Sequence, residues 1–237
     1  MAVSEMFKHK GQMWRRIPAE PIDEFVLGVD LGQSIDPTAL SLVHRQQSPL
    51  ETWDIDHDHR VTKQKVHDQF DVRHLERLPL GKPYPEVVQY VAALLRRPPL
   101  DEGCLLVIDE TGVGRAVGDI FDEAGLEPIR ITITAGSDVM QQTWRRFNVA
   151  KTLLISTLDA RLHTGELRFA ADLTDAGALA DELKDFRRKV SDVGRASYAA
   201  RTGKHDDLVL ATAIAVWVAA GKGRVPDPSV GALEGLH

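Results

Sequence analysis

The run Leu105-Leu106-Val107-Ile108 offers no polar face, and this limits the fold more than any other stretch of the chain. A strand that is apolar on both sides must be covered on both sides, as strands inside a parallel sheet are. The residues that follow suit that role. Residues 114–124 read as a helix and residues 129–134 as another strand, a βαβ pattern that sets two parallel strands side by side. The chain before this point has a different style. Phe25-Val26-Leu27-Gly28-Val29-Asp30 is a short β-rich run, Asp36-Pro37 signals a turn, and residues 39–43 read as a hairpin partner. Further strands are predicted over residues 50–56 and 69–75, completing an antiparallel group. Val87, Val88, Val91, Leu94 and Leu95 have helical spacing within residues 85–97, and Pro98-Pro99 ends that helix. Helices are expected at 148–163, 176–189 and 206–220, with a short edge strand at 167–170.

Hairpin strands, then a helix, then parallel strands with crossover helices describe an α/β protein with a mixed central sheet flanked by helices. The ribonuclease H-like architecture has this order of elements. Sugar kinases and chaperone ATPases use related arrangements, so fold alone does not decide function. One domain is expected over residues 23–221, with residues 1–22 as an N-terminal extension or linker and residues 222–237 as a C-terminal tail. There is no internal repeat to suggest otherwise.

Composition narrows the field. With 43% hydrophobic residues the chain can bury a real core. Its single cysteine, Cys104, excludes an internal disulfide and suits a reducing cytoplasm. Set in an apolar strand, Cys104 reads as a buried structural thiol rather than a nucleophile. No apolar stretch follows the basic N-terminus, and the run from Leu208 to Ala220 is too short for a membrane span. A soluble cytoplasmic protein is expected. A net charge of −6 argues against nucleic acid at first sight. Basic residues nevertheless gather after Lys184, where Arg187, Arg188, Arg195, Arg201 and Lys204 could follow a phosphate backbone. A solvated helix face and loop is the equal alternative for that stretch.

The acids carry the chemistry. Asp30 ends the first strand, Asp109 with Glu110 ends the apolar strand, and Asp206-Asp207 opens the last long helix. If the two strands are neighbours, Asp30 and Asp109 lie side by side, and a helix packed beneath brings Asp206 or Asp207 to them. Carboxylates that converge repel one another unless a cation neutralises them, and all-oxygen ligands suit Mg²⁺ or Mn²⁺ better than zinc. Two such ions, about 3.5–4 Å apart, can activate a water and stabilise the leaving oxygen at a phosphodiester. Each acid also has a plainer reading. Asp30 could cap the turn at Leu31-Gly32, and Asp206 or Asp207 could be the N-cap of its helix.

Leu27-Gly28-Val29-Asp30-Leu31-Gly32, then Val107-Ile108-Asp109-Glu110-Thr111-Gly112-Val113-Gly114, then His205-Asp206-Asp207-Leu208-Val209 resemble the nuclease domain of the large terminase subunit of tailed bacteriophages. A helix holding Lys151, the segment Gly165-Glu166-Leu167 and a helix with Glu182-Leu183 precede the last motif, as in that family. The likeness runs from about Phe25 to Ala220. It implies a ribonuclease H-like endonuclease that uses Mg²⁺ or Mn²⁺, most simply two ions, to cut concatemeric phage DNA during genome packaging. It further implies that Asp30, Asp109 and Asp207 are catalytic metal ligands with Asp206 an accessory acid. The implied partners are double-stranded DNA and a terminase ATPase, small terminase subunit or portal, within the bacterial host of a phage or prophage. Glu110 is less secure, because consecutive strand residues face opposite sides. Gly112 and Gly114 are expected to let the backbone turn into the following helix. The chain departs from full-length terminases in having no G-x-x-x-x-G-K-[ST] loop, and a complete motor is therefore not expected of these residues.

Two other signals compete for attention. Asp54-Ile55-Asp56-His57-Asp58-His59 has metal-ligand residue types, but alternation splits them between two strand faces. Trp144-Arg145-Arg146-Phe147 suits DNA contact or a loop anchored in the core by its aromatics. Lys204 and His205 stand where they could hold a phosphate or help proton transfer. Among functions, a Holliday-junction resolvase of the same fold would use similar acids, and a catalytically silent DNA-binding or assembly module would use them only as caps. An actin-like ATPase would need two duplicated domains, for which the chain is short.

Overall fold

The computed structural model describes residues 4–32, 36–192 and 205–221, and for residues 185–192 the backbone alone. In chain order the strands are β1 (Glu5–His9), β2 (Gln12–Ile17), β3 (Ile22–Asp30), β4 (Ala39–Asp56) and β5 (Val61–Arg77). Helix α1 (Tyr84–Leu95), β6 (Cys104–Asp109), α2 (Arg115–Glu123), β7 (Ile129–Thr134), β8 (Val139–Thr143) and β9 (Arg146–Ala150) follow. Then come α3 (Lys151–His163), β10 (Leu167–Phe169), α4 (Ala176–Asp192) and α5 (Asp207–Ala219). The described strands form one mixed sheet in the order β1-β2-β5-β4-β3-β6-β7-β9-β8, and β10 pairs with β5. The hairpin group β3–β4–β5 is antiparallel, while β3, β6, β7 and β9 run parallel.

Both faces of the sheet are covered. Period-two alternation sends Val26, Val107 and Ile131 to one face, where α3, α4 and α5 pack, and Leu27, Val29, Leu106 and Ile108 to the other, under α1 and α2. Every residue of α5 is buried, so this is an internal helix with no polar face. No helix among the described residues is long and apolar enough to cross a membrane.

The structure differs from the sequence reading in several places, among them strand β8, which was not expected, and β5, which starts at Val61 rather than Gln69. Residues 39–43 and 50–56, expected as separate strands, belong to the single strand β4. Pro49 is tolerated there because β4 has lost its β3 neighbour beyond Gln47, and a register shift between Pro49 and Trp53 takes up the irregularity. The helix expected from Asn148 begins at Lys151, because Phe147, Val149 and Ala150 are buried in strand β9 beside β7. Residues 5–17, expected in an extension or linker, form the hairpin β1–β2, which pairs with β5 at Val61 to Lys63. In that hairpin Trp14 is buried, with His9 and His57 edge-on to its ring.

Candidate active site

Two aspartates meet because their strands are parallel neighbours. In the β3–β6 ladder Asp30 is the register partner of Asp109. Both follow by two positions a residue that faces α5, Gly28 in β3 and Val107 in β6, so both side chains emerge on the α5 face. From Phe25 in β3 and Cys104 in β6 the strands are apolar up to their last residue, which places each carboxyl at the rim of the core.

Helix α5 brings the other two. A Cβ added to Gly28 would lie 2.1 Å from the Ala211 carbonyl oxygen and 3.0 Å from the Ala215 Cβ, so α5 rests directly on the β3 backbone. Thr212 Oγ1 donates to the Leu208 carbonyl at 2.8 Å and is hydrogen-bonded with Ser41 Oγ on β4 at 2.9 Å, which fixes the rotation of the helix. Asp207 stands one turn, about 6 Å, before Ala211, and Asp30 stands two strand residues, about 6.6 Å, beyond Gly28. The helix start and the strand end are therefore level. Asp30, Asp109, Asp206 and Asp207 line one open cleft of about 390 Å³, together with Asp36, Thr111, Gly112 and His205.

None of these acids is spent on the plainer duties. Asp206 occupies the N-cap position of α5 without making a side-chain cap bond. Instead it accepts from Lys151 Nζ at 2.6 Å, at the start of α3. Asp207 is buried and takes the Arg77 guanidinium on both oxygens, Nε at 2.6 Å and Nη2 at 3.2 Å. The turn after Asp30 is tied by Thr38, whose Oγ1 accepts from the Gly32 N–H at 3.2 Å. Asp109 accepts from the Thr111 N–H at 2.8 Å and from the Thr111 hydroxyl. His205 Nδ1 lies 3.1 Å from Asp36 Oδ1 and 4.0 Å from Asp207 Oδ1.

The cleft is electrostatically crowded. Burial, then repulsion from Asp109, Asp207 and Asp206, pushes the Asp30 carboxyl well above the usual carboxylate range, against the pull of Lys151. Burial raises Asp109 to about 6, against its Thr111 hydrogen bonds and Lys151. Glu182, on α4, is raised to about 8 by burial, although it accepts the Val209 N–H and the Arg77 guanidinium. Such mutual destabilisation is the condition that a bound cation relieves. The all-carboxylate donor set suits Mg²⁺ or Mn²⁺ in kind. The arrangement is not yet a coordination shell: no three His, Cys, Asp or Glu side chains among the described residues are placed to hold an ion. Arg77, Lys151 and Thr111 occupy the carboxylates that would have to converge.

Other expectations sort themselves by geometry. Glu110 points to the α2 face, where its carboxylate lies 3.8 Å from the buried Arg130, away from the cleft. Gly112 and Gly114 adopt φ of 78° and 76° in the turn before α2, a conformation that side chains resist. The acids and histidines of residues 54–59 sit at the β4–β5 tip, where Asp56 pairs with His59 in the open. Of the Trp144–Phe147 stretch, Phe147 enters the core against Trp217, while Trp144 is exposed beneath the Arg145 guanidinium. Arg195, Arg201 and Lys204 lie outside the described residues, as do the side chains of Arg187 and Arg188. A second hollow, about 710 Å³, opens at the opposite strand ends beside Cys104, whose thiol burial pushes up to about 12. Sequence reasoning missed Arg77 altogether.

No model of a known protein family matches the chain, and no curated protein sequence does. Two solved structures are similar in three dimensions. One is the large terminase nuclease from thermophilic phage G20c with bound magnesium, at 22% identity and a TM-score of 0.54, covering 83% of this chain and 82% of that one. The other is a second crystal structure of the large terminase nuclease from the same phage, at 20% identity and a TM-score of 0.49, covering 81% of each chain. The chain thus has the ribonuclease H-like fold of a large terminase nuclease: a mixed central sheet flanked by helices, with its own acids gathered at the ends of β3 and β6.

Proposed function

We propose that the chain is a metal-dependent DNA endonuclease of the large-terminase type, cutting concatemeric phage DNA during genome packaging. The observation that carries this reading is the meeting of Asp30, Asp109, Asp206 and Asp207 in one cleft of a ribonuclease H-like fold. Asp30, Asp109 and Asp207 would hold Mg²⁺ or Mn²⁺, two ions on this reading, with Asp206 accessory. Bound there, the ions would supply an activated water and a counter-charge for the leaving oxygen of a phosphodiester. Lys151 orients Asp206, and Thr111 fixes the rotamer of Asp109. His205, which lines the cleft, would face double-stranded DNA, and Arg187, Arg188, Arg195, Arg201 and Lys204 would contact its phosphates. A terminase ATPase, small terminase subunit or portal would supply the packaging context inside the host cytoplasm.

Cleavage of supercoiled plasmid tests the proposal. Wild-type protein is expected to nick and linearise plasmid with Mn²⁺ or Mg²⁺ and to leave it intact with EDTA. Asp30→Ala and Asp207→Ala should each lower the rate by at least about a hundredfold. Intact plasmid under every metal, or variants that cut as well as wild type, would replace this reading with that of a catalytically silent binding module.

A further inference from the structure

One carboxylate of the cleft, Asp207, already has a cation for a partner, and that cation belongs to the protein. Arg77 ends β5, and its guanidinium covers both oxygens of the buried Asp207. The same guanidinium donates through Nη2 to Glu182 on α4, and the Arg77 backbone N–H donates to Asp175 Oδ2 at 3.0 Å. Glu182 in turn accepts the Val209 N–H at 2.9 Å in the first turn of α5. Three elements, β5, α4 and α5, thus close on one guanidinium. The planar fork of arginine can serve two carboxylates at once, which a point-like ammonium does less well.

We propose that Arg77 is the resident counter-cation of Asp207, and that Asp207 must leave Arg77 before it can ligate a divalent ion. This rests on the metal-nuclease reading given above. With both of its oxygens hydrogen-bonded to Arg77, Asp207 can meet an ion in the cleft only in competition with the guanidinium. Among the described residues the four neighbouring aspartates form no ion-binding group, and the Arg77–Asp207 pair is one contact that metal binding has to displace. Arg77 does not need to move when Asp207 turns away, because Glu182 and Asp175 keep hold of it. Glu182 accepts the guanidinium whether or not its carboxyl carries a proton. The exchange is therefore local, a rotation of one aspartate between two cations. In the metal-free chain Arg77 neutralises a carboxylate that would otherwise be buried unpaired. The consequence is a site that is held together when empty and binds metal more weakly than its four carboxylates would on their own.

Mn²⁺ titration of the full chain by calorimetry tests this. Arg77→Gln should bind Mn²⁺ roughly tenfold more tightly than wild type, the worth of one charge-assisted contact. Its metal-free melting temperature should fall by several degrees and recover at saturating Mn²⁺. In an Asp207→Asn background, Arg77→Gln should leave Mn²⁺ affinity within about twofold, because the carboxylate through which Arg77 acts is gone. Arg77→Lys should lie between wild type and Arg77→Gln, and it carries the test should Arg77→Gln fail to fold. Folded variants that bind Mn²⁺ no more tightly than wild type would overturn the proposal. So would equal tightening in the Asp207→Asn background, which would mean that Arg77 acts only through its general field. Wild type that takes up no Mn²⁺ would sink the metal-nuclease reading itself.

Discussion

At Asp109, the core and the open cleft make opposite demands on one carboxyl. Burial lifts it from 3.8 to about 6, so the folded chain holds this proton more tightly than the unfolded chain does. The sign follows from linkage. Stability is fullest below the unfolded value and is lost as pH rises from about 4 through about 6, at a cost on the order of 2–3 kcal/mol. Asp30 and Glu182 shift in the same direction, so the loss continues toward pH 8. In EDTA, Asp109→Asn is therefore expected to be more stable than wild type at pH 7 and equal to it near pH 4. Asparagine keeps an oxygen for the Thr111 N–H, so the comparison isolates the charge. Urea denaturation at pH 4, 5, 6 and 7 measures it, and an unchanged pH profile would refute the assignment. These strand-end acids were legible in the sequence because an apolar run stops at each of them. Arg77 was not. Its partners Asp175, Glu182 and Asp207 stand 98, 105 and 130 residues away, and nothing in a polar strand marks one arginine among several.

Among the elements, α5 decides where the site is. It lies on β3 through a contact that only glycine permits, and its first residue is level with the strand end for that reason. Gly28→Ala would press a methyl group into the Ala211 carbonyl, a backbone atom that cannot rotate away. The variant is expected to lose about 1–3 kcal/mol of stability and to respond to Mn²⁺ with a smaller rise in melting temperature. A thermal melt with and without the ion checks both halves; a variant with wild-type stability would show that α5 has room to lift. The far end of the helix is anchored as well, where Arg45 Nη1 donates to the Ala219 carbonyl at 2.6 Å. The sequence showed that this helix is apolar and begins with two acids. Which strand it lies on was not legible, because a helix buried all round carries no stripe that points to a neighbour.

On the scale of the whole molecule, the cleft and the β1–β2 hairpin are far apart. β4 leaves Ala39, beside Asp30, and reaches Asp56 roughly 55 Å away at about 3.3 Å per residue. The hairpin joins β5 only at Val61 to Lys63, next to that distant tip. Removal of residues 1–17 is therefore expected to leave Mn²⁺ affinity within about twofold of wild type, while exposing the arm surface that Trp14 covers. Calorimetry on the shortened chain decides the matter; loss of metal binding would mean that the arm and the cleft are coupled through the sheet.

The amino-acid sequence by itself determined the alternation of elements, the mixed sheet and the candidates Asp30, Asp109, Asp206 and Asp207. All of these are local: periodicity sets strand or helix, and an acid at the end of an apolar run has to stand at the rim of a core. The length of β4, the strand identity of residues 146–150 and the hairpin of residues 5–17 were decided by pairing across the sheet. The cation that each acid faces was likewise decided only in three dimensions. Ion pairs join residues far apart in sequence, and the packing of β5, α3 and α4 against α5 selected Arg77 for Asp207 and Lys151 for Asp206.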